Sequence, residues 1–237
     1  MGGEAGCRQP PRIPPGRAWR LVLLGAPGVG KGTQAEQLCD RLGTCHLSTG
    51  DVFRAAKCAD ENQQTGSMRD ALRFMRRGEL VPDATVLGLV GERLRCLRCT
   101  GGFLLDGFPR TAAQAVALEQ LLDREQVVLD TVLNYELPLE KIIVRISGRR
   151  TCAQCKAVFH VTTRPPQAAG ICDHCGGELL QREDDRPEAV TARMKVYEAN
   201  IQPLVEFYRQ RRLLVNISAE GSPEEIFQRT RTAALAR

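Results

Sequence analysis

No run in this chain approaches the ~20 apolar residues that a membrane-spanning helix needs, so a helical membrane anchor is not expected. The first twenty residues lack the apolar stretch of a secretory signal, and they are rich in Gly, Pro and Arg instead. That absence points to a reducing, cytoplasmic setting. No dense Lys/Arg block appears, and the net charge is only +5 over 237 residues. Such a balance suits small polyanionic ligands and argues against nucleic acid as a partner. No internal repeat is visible.

What remains is an ordinary globular profile, 43% hydrophobic and 26% charged, and long enough for one large core. Residues 1–18 carry four prolines and little to bury, so they read as a flexible tail before a core over 19–237. Arg20 to Gly25 (RLVLLG) is a short apolar run ending in glycine, expected to be a buried strand. Lys31 to Leu42 has helical spacing, with Ala35, Leu38, Cys39 and Leu42 apolar. From Thr49 to Gly101 the pattern is mostly helical, with breaks near Gly66, Gly78 and Pro82. Gly102 to Asp106 reads as a strand, Thr111 to Arg124 as a helix, Asp130 to Leu137 as a strand and Leu139 to Ser147 as a helix. Pro187 opens a long helix reaching about Arg212, in which Pro203 should produce a kink. Leu213 to Ile217 is a last strand, and Ser222-Pro223 opens a last helix. Strands alternating with helices imply an α/β fold with a central parallel sheet between helical layers.

Two motifs carry chemistry. In Gly25-Ala26-Pro27-Gly28-Val29-Gly30-Lys31-Gly32-Thr33, glycines follow a strand and open a helix. Without a Cβ in the way, backbone N–H groups can close around phosphate oxygens, and the helix N-terminus adds partial positive charge. Lys31 is placed to reach the outer phosphates. Here Gly32 separates that lysine from Thr33, a departure from the general P-loop pattern. The second motif is Cys152-x-x-Cys155 and Cys172-x-x-Cys175, with sixteen residues between the pairs. Four thiolates at this spacing suit a closed, structural zinc site. Iron, cobalt, metal-free thiols or a reducible disulfide pair remain alternatives. With four cysteines available, His160 and His174 are not expected to ligate, and His160 is expected to hydrogen-bond within the same segment. Cys96 and Cys99 form another CxxC pair, read as packing.

The GKGT loop resembles that of nucleoside monophosphate kinases, and of the adenylate kinase family in particular. Further matches follow in order: Leu47-Ser48-Thr49-Gly50-Asp51 with Arg54, Gly102 to Arg110 (GFLLDGFPR), Gln114, Gly148-Arg149-Arg150, Arg182-Glu183-Asp184-Asp185 and Arg193. The resemblance runs from about Arg20 to the C-terminus. It implies a P-loop three-layer fold with two insertions: an AMP-binding segment at 48–81 and a small zinc-ribbon-like lid at 148–185. It also implies reversible transfer of the terminal phosphoryl group of Mg·ATP to AMP by a cytoplasmic monomer.

The resemblance assigns roles residue by residue. Gly28, Gly30, Lys31, Gly32 and Thr33 would hold ATP, and Arg145 would stack on its adenine. Thr49, Arg54, Gly107, Arg110 and Gln114 would hold AMP. Arg149, Arg182 and Arg193 would close on the phosphates of both nucleotides, and Asp106 would support Mg²⁺ through water. Asp51 reads better as a helix cap. A longer connection at Lys57 to Gly66, Lys156 where glycine is expected, and Phe159 where tyrosine is common all depart from the family pattern. Two other readings stay open: a kinase with another acceptor or with GTP as donor, and a nucleic-acid-binding zinc ribbon. The ribbon lacks interleaved aromatics.

Overall fold

The computed structural model describes residues 17–50, 65–76, 81–92 and 101–235. The elements run β1 (Trp19–Gly25), α1 (Lys31–Leu42), β2 (Cys45–Ser48), α2 (Gly66–Arg76), α3 (Asp83–Gly91), β3 (Gly102–Asp106), α4 (Ala112–Arg124), β4 (Thr131–Glu136) and α5 (Leu139–Ser147). Then come β5 (Arg149–Cys152), β6 (Val158–His160), β7 (Leu179–Leu180), a 3₁₀ turn (Glu183–Asp185), α6 (Pro187–Gln210), β8 (Leu214–Ser218) and α7 (Pro223–Leu235).

The main sheet has the order β2-β3-β1-β4-β8, and every pairing in it is parallel. Strands covered on both faces need apolar side chains on both, and LVLL and FLLD supply them. Leu21, Leu23, Leu104 and Leu133 pack on one face against Leu38 and Phe227. Val22, Leu24, Phe103 and Leu105 pack on the other against Leu118 and Tyr208. The expected three layers are therefore present. β1 lies at the centre, where the strand order reverses, and the glycine loop leaves its carboxyl end. That edge is where such sheets bind ligands.

A second, antiparallel sheet of order β6-β5-β7 forms the small cysteine-bearing unit. Its apolar content is Cys152, Phe159, Cys172 and Leu179, too little for a core of ordinary size.

One element departs from expectation. β2 was not anticipated as a strand. It has only four residues, two of them the polar His46 and Ser48, so no apolar run announces it. It is instead specified by pairing with β3, Cys45 opposite Phe103 through Ser48 opposite Asp106. Pro203 sits inside one helix, Pro187–Gln210, close to the expected extent of Pro187 to about Arg212. The lost N–H frees the carbonyl of Ala199, and both residues lie on the exposed side, where water can satisfy it. The long connection at 57–64, Cys96 and Cys99, Asp51 and Arg54 lie outside the described residues.

Candidate active site and cysteine cluster

The loop after β1 is shaped by its glycines. Gly28 has φ +80°, and a Cβ there would lie 2.2 Å from Ile146 Cγ1. Gly30, at φ +106°, is the N-cap of α1 and offers no side chain to occupy the helix N-terminus. The backbone amides at that end are thus left for a ligand. Lys31 folds back over the loop, donating from Nζ to Gly25 O at 2.6 Å and to Ala26 O at 2.9 Å. Burial draws its pKa down to about 8. Asp106 opposes that shift, while Arg110, Arg193 and Arg149 add to it. These cations therefore share one electrostatic neighbourhood with Lys31.

Asp106 ends β3, with its side chain 14% exposed. Burial alone would raise its pKa. The His46 ring and the Lys31 and Arg110 charges outweigh burial and hold the carboxyl below its ordinary range. His46 Nε2 stands 3.7 Å from Asp106 Oδ2, an ion-pair separation. Sequence reasoning missed His46. The available signal was a polar residue inside a strand, two positions before the Ser48 that pairs with Asp106.

On the other side of Asp106, Thr49 Oγ1 donates to Gly107 O at 3.0 Å, and Arg110 Nε donates to the same oxygen at 2.7 Å. Gln114 is buried. Its Oε1 accepts from the Arg110 amide at 2.7 Å and its Nε2 donates to Asp83 Oδ1 at 2.6 Å. The backbone N–H of Gln114 is capped by Thr111 Oγ1 at 3.1 Å. Each end of the side-chain amide keeps one unused hydrogen-bonding position.

Arg145 lies beside the phosphate loop. Nη1 donates to Val29 O at 2.8 Å, and Nη2 donates to Ala219 O at 2.8 Å and Gly221 O at 3.4 Å. Arg149 forms a bidentate pair with the fully buried carboxylate of Asp185. Arg193 Nη1 donates to Asp184 O at 2.9 Å and Asp184 Oδ2 at 2.8 Å. Arg182 Nε donates to Thr151 Oγ1 at 2.8 Å. The arginines at the base of the small sheet thus converge on segment 182–185.

In the small sheet, the sulfurs of Cys152, Cys155, Cys172 and Cys175 lie within 4.8 Å of one another. Cys152 Sγ and Cys175 Sγ are 3.5 Å apart, as are Cys155 Sγ and Cys172 Sγ. Four sulfurs at ~2.3 Å from one Zn²⁺ would stand roughly 3.8 Å apart, so the set fits a tetrahedral ion with little movement. Burial works against ionising Cys152, yet the Cys155 and Gln154 amides favour its thiolate, and its pKa falls to about 6. His160 turns away from the cluster. Its Nδ1 accepts from the amides of Thr162 and Thr163, both at 3.1 Å, and its Nε2 faces Val144 O at 3.3 Å. The expected hydrogen bonding of His160 is therefore present, and it reaches beyond the small sheet to the end of α5. Lys156 adopts φ +63°, the left-handed conformation that glycine prefers. Its Nζ donates to Ala153 O at 2.5 Å, closing the knuckle.

This loop, carboxylate and arginine constellation can bind polyphosphate and stabilise charge on a transferring phosphoryl group. Comparison with known proteins agrees. Residues 23–213 match the family model described as adenylate kinase. The chain is 48% identical over 214 residues to the adenylate kinase of Carboxydothermus hydrogenoformans, covering 90% of this chain and 98% of the relative. It is 52% identical over 205 residues to that of Caldicellulosiruptor saccharolyticus, covering 86% and 93%. With that of Bacillus licheniformis it shares 45% over 207 residues, covering 87% and 94%.

Proposed function

The chain belongs to the adenylate kinase family, whose reaction is ATP + AMP giving two ADP, and we propose how its own residues divide that work. The donor phosphates lie on the loop from Gly25 to Thr33, contacting the amides around Gly28, Gly30 and Gly32, with Lys31 on the outer phosphates. Arg145 flanks the donor base. AMP lies between Thr49 and Gln114, with Arg54 and Arg110 on its phosphate, Gly107 giving close backbone approach, and Gln114 reading the base. Arg149, Arg182 and Arg193 supply positive charge around the transferring group. The core is 19–237, with 48–81 as the AMP-binding segment and 148–185 as the lid.

Adenylate kinases use Mg²⁺ with ATP, where the ion offsets phosphate charge. Asp106, kept ionised, would hold its waters. In the lid, Cys152, Cys155, Cys172 and Cys175 would hold a structural Zn²⁺, which supplies cohesion that the small apolar content does not. Among the described residues no helix is long and apolar enough to cross a membrane. A cytoplasmic monomer that binds neither membranes nor nucleic acid accords with this and with the mild charge.

The observation that carries the reading is the shared electrostatic neighbourhood of Lys31, Asp106, Arg110, Arg149 and Arg193 at the carboxyl edge of the sheet. The test uses purified, metal-replete protein with Mg·ATP and AMP, CMP, UMP or GMP at equal concentration. Rapid ADP formation with AMP alone is expected. Lys31→Met should lower turnover at least ~100-fold while the protein stays folded. Near-normal turnover in that variant would overturn the assignment of the loop.

A further inference from the structure

Between the start of α5 and the first half of α6 lies a cavity of about 240 Å³. Of the phosphate loop only Ala26 lines it, so it stands apart from the nucleotide positions proposed above. Ala26 and Ile142, both buried, form its floor, and Met194 and Tyr197 of α6 form one wall. Leu139, 48% exposed, stands at the mouth with the exposed side chains of Glu136 and Glu198. Helical spacing gathers these groups: 139 and 142 share one face of α5, and 194, 197 and 198 share one face of α6. Glu136 is the last residue of β4, so its carboxylate comes to the edge of the sheet just before α5 begins.

The charge at the mouth is unbalanced. No lysine or arginine lines the cavity. Two cations beside its lining residues are committed elsewhere: Lys141 Nζ donates to Glu220 Oε1 at 2.7 Å, and Arg193 lies against Asp184. Glu136 Oε1 accepts only from the neutral side-chain amide of Asn134, at 3.1 Å. Burial, and after it the charge of Glu136, push the Tyr197 phenol up from its ordinary pKa, so this carboxylate faces the wall as well as the mouth. In a chain of net charge +5 this is a local reversal of sign. It repels the polyphosphates that the arginines attract and favours a cation.

We propose that this cavity is a second binding site, which takes a small arylalkylammonium ion: an aromatic ring against Ile142, Met194 and Tyr197, and a primary ammonium between Glu136 and Glu198. Size sets the body of the ligand. A cavity of ~150 Å³ admits benzene, so about 240 Å³ holds one ring and a chain of two or three atoms. The wall suits a ring over an alkyl chain, because a thioether and a phenol ring both pack well on aromatic faces and edges. The mouth sets the charge. An ammonium has three donors and no acceptor, and two carboxylates meet it with charge-assisted hydrogen bonds. A hydroxyl in its place forms only neutral-donor bonds, and a carboxylate is repelled.

The experiment titrates the full-length, metal-replete chain, labelled with ¹³C at its methionine methyl groups, with 2-phenylethylammonium chloride. Met194 lines the cavity and Met68 lies on α2, so one methyl reports the site and the other serves as control. The Met194 signal should shift and saturate with a Kd of about 1 mM or tighter, while Met68 stays still. The neutral 2-phenylethanol should bind about tenfold more weakly, and 3-phenylpropionate should leave the signal unmoved. Glu136→Gln and Glu198→Gln should each weaken the ammonium roughly threefold, as suits exposed carboxylates, and together about tenfold. Leu139→Lys puts a resident cation at the exposed mouth and should remove the response. If the double variant does not fold, Leu139→Lys decides. A Met194 signal that stays still up to about 10 mM, or a Met68 signal that moves equally, overturns the proposal. Equal binding of the alcohol, or full binding by the double glutamine variant or by Leu139→Lys, overturns it as well, because the carboxylates then select nothing.

Discussion

Gly148→Ala is the substitution whose cost the geometry sets most directly. Gly148 is the C-cap of α5, with φ −84° and ψ −7°, which alanine adopts as readily as glycine. Backbone strain therefore contributes nothing, and the effect is steric. The new Cβ would stand 2.3 Å from His160 Nε2, 2.5 Å from Cε1 and 3.0 Å from Cδ2. Ordinary contact begins near ~3.5 Å, so the ring must retreat by roughly 1 Å. That ring is buried and held on both edges. The amides of Thr162 and Thr163 donate to Nδ1, which requires the Nε2–H tautomer facing Val144 O. Retreat breaks these bonds. Overpacking costs ~1–3 kcal/mol, and the lost or unsatisfied hydrogen bonds add about 1–2 kcal/mol. The expected destabilisation is thus about 2–5 kcal/mol, concentrated where the lid leaves α5. Urea unfolding of the metal-replete protein, with hydrogen exchange at residues 160–163, would measure it. His160→Ala removes the obstacle, so Gly148→Ala in that background should cost under ~1 kcal/mol, a coupling of at least ~1 kcal/mol. A neutral Gly148→Ala, or the same cost in both backgrounds, refutes the argument.

Three other outcomes follow from named groups. Lys31 in the free protein has its pKa lowered to about 8, and bound phosphates raise it again. Binding of Mg·ATP should therefore take up a proton near pH 8 and weaken as pH rises above that value, because the free Lys31 is then neutral. Calorimetry in buffers of different ionisation enthalpy reads this, and buffer-independent heats at pH 8 to 9 would contradict it. Lys156 holds a left-handed backbone at φ +63°. Lys156→Gly should accordingly stabilise the lid by about 1 kcal/mol, less what the Lys156–Ala153 bond contributes, and a lower melting temperature would count against it. Removing metal with a strong chelator, or replacing Cys172 by Ser, should raise hydrogen exchange across residues 150–180 while β1 and β3 stay protected. Unchanged lid protection in metal-free protein would show that the four cysteines hold the lid without an ion.

Much of this architecture could be read along the chain, for a physical reason. β1, β3 and β4 are buried on both faces and announce themselves as apolar runs. Lys31–Leu42 carries its helical stripe between glycines at both ends. The two CxxC pairs state a metal-binding set in their spacing alone, and the structure brings all four sulfurs together. What stayed illegible is whatever depends on partners far apart in sequence. β2 is four residues long and is held by β3, so nothing local marks it. His46 matters only because parallel pairing sets it near Asp106. The engagement of Gln114 with Asp83, and of Arg145 with Ala219 and Gly221, joins residues 31 and more than 70 positions apart. Local periodicity carries no information about such pairs.

Charge balance around Lys31 links the two halves of the site. Arg110, Arg149 and Arg193 all disfavour its ammonium form, and Asp106 favours it. So dense a set of cations is costly unless anions are near. Here Asp184 and Asp185 supply them: Arg149 is bidentate on Asp185, and Arg193 lies against Asp184. On the proposed reading, phosphates bring the missing negative charge. The arginines need not then be assembled from solvent when substrates arrive. Arg149 already stands largely withdrawn from water against the buried Asp185, and on that reading it exchanges carboxylate oxygens for phosphate oxygens of similar geometry. Exchange of like partners changes the free energy less than pairing from water does, because desolvation has already been met in folding. On the proposed reading, the buried Asp185 is a positioning residue for Arg149. It keeps Arg149 oriented without substrate, from the 3₁₀ turn that joins the small sheet to α6.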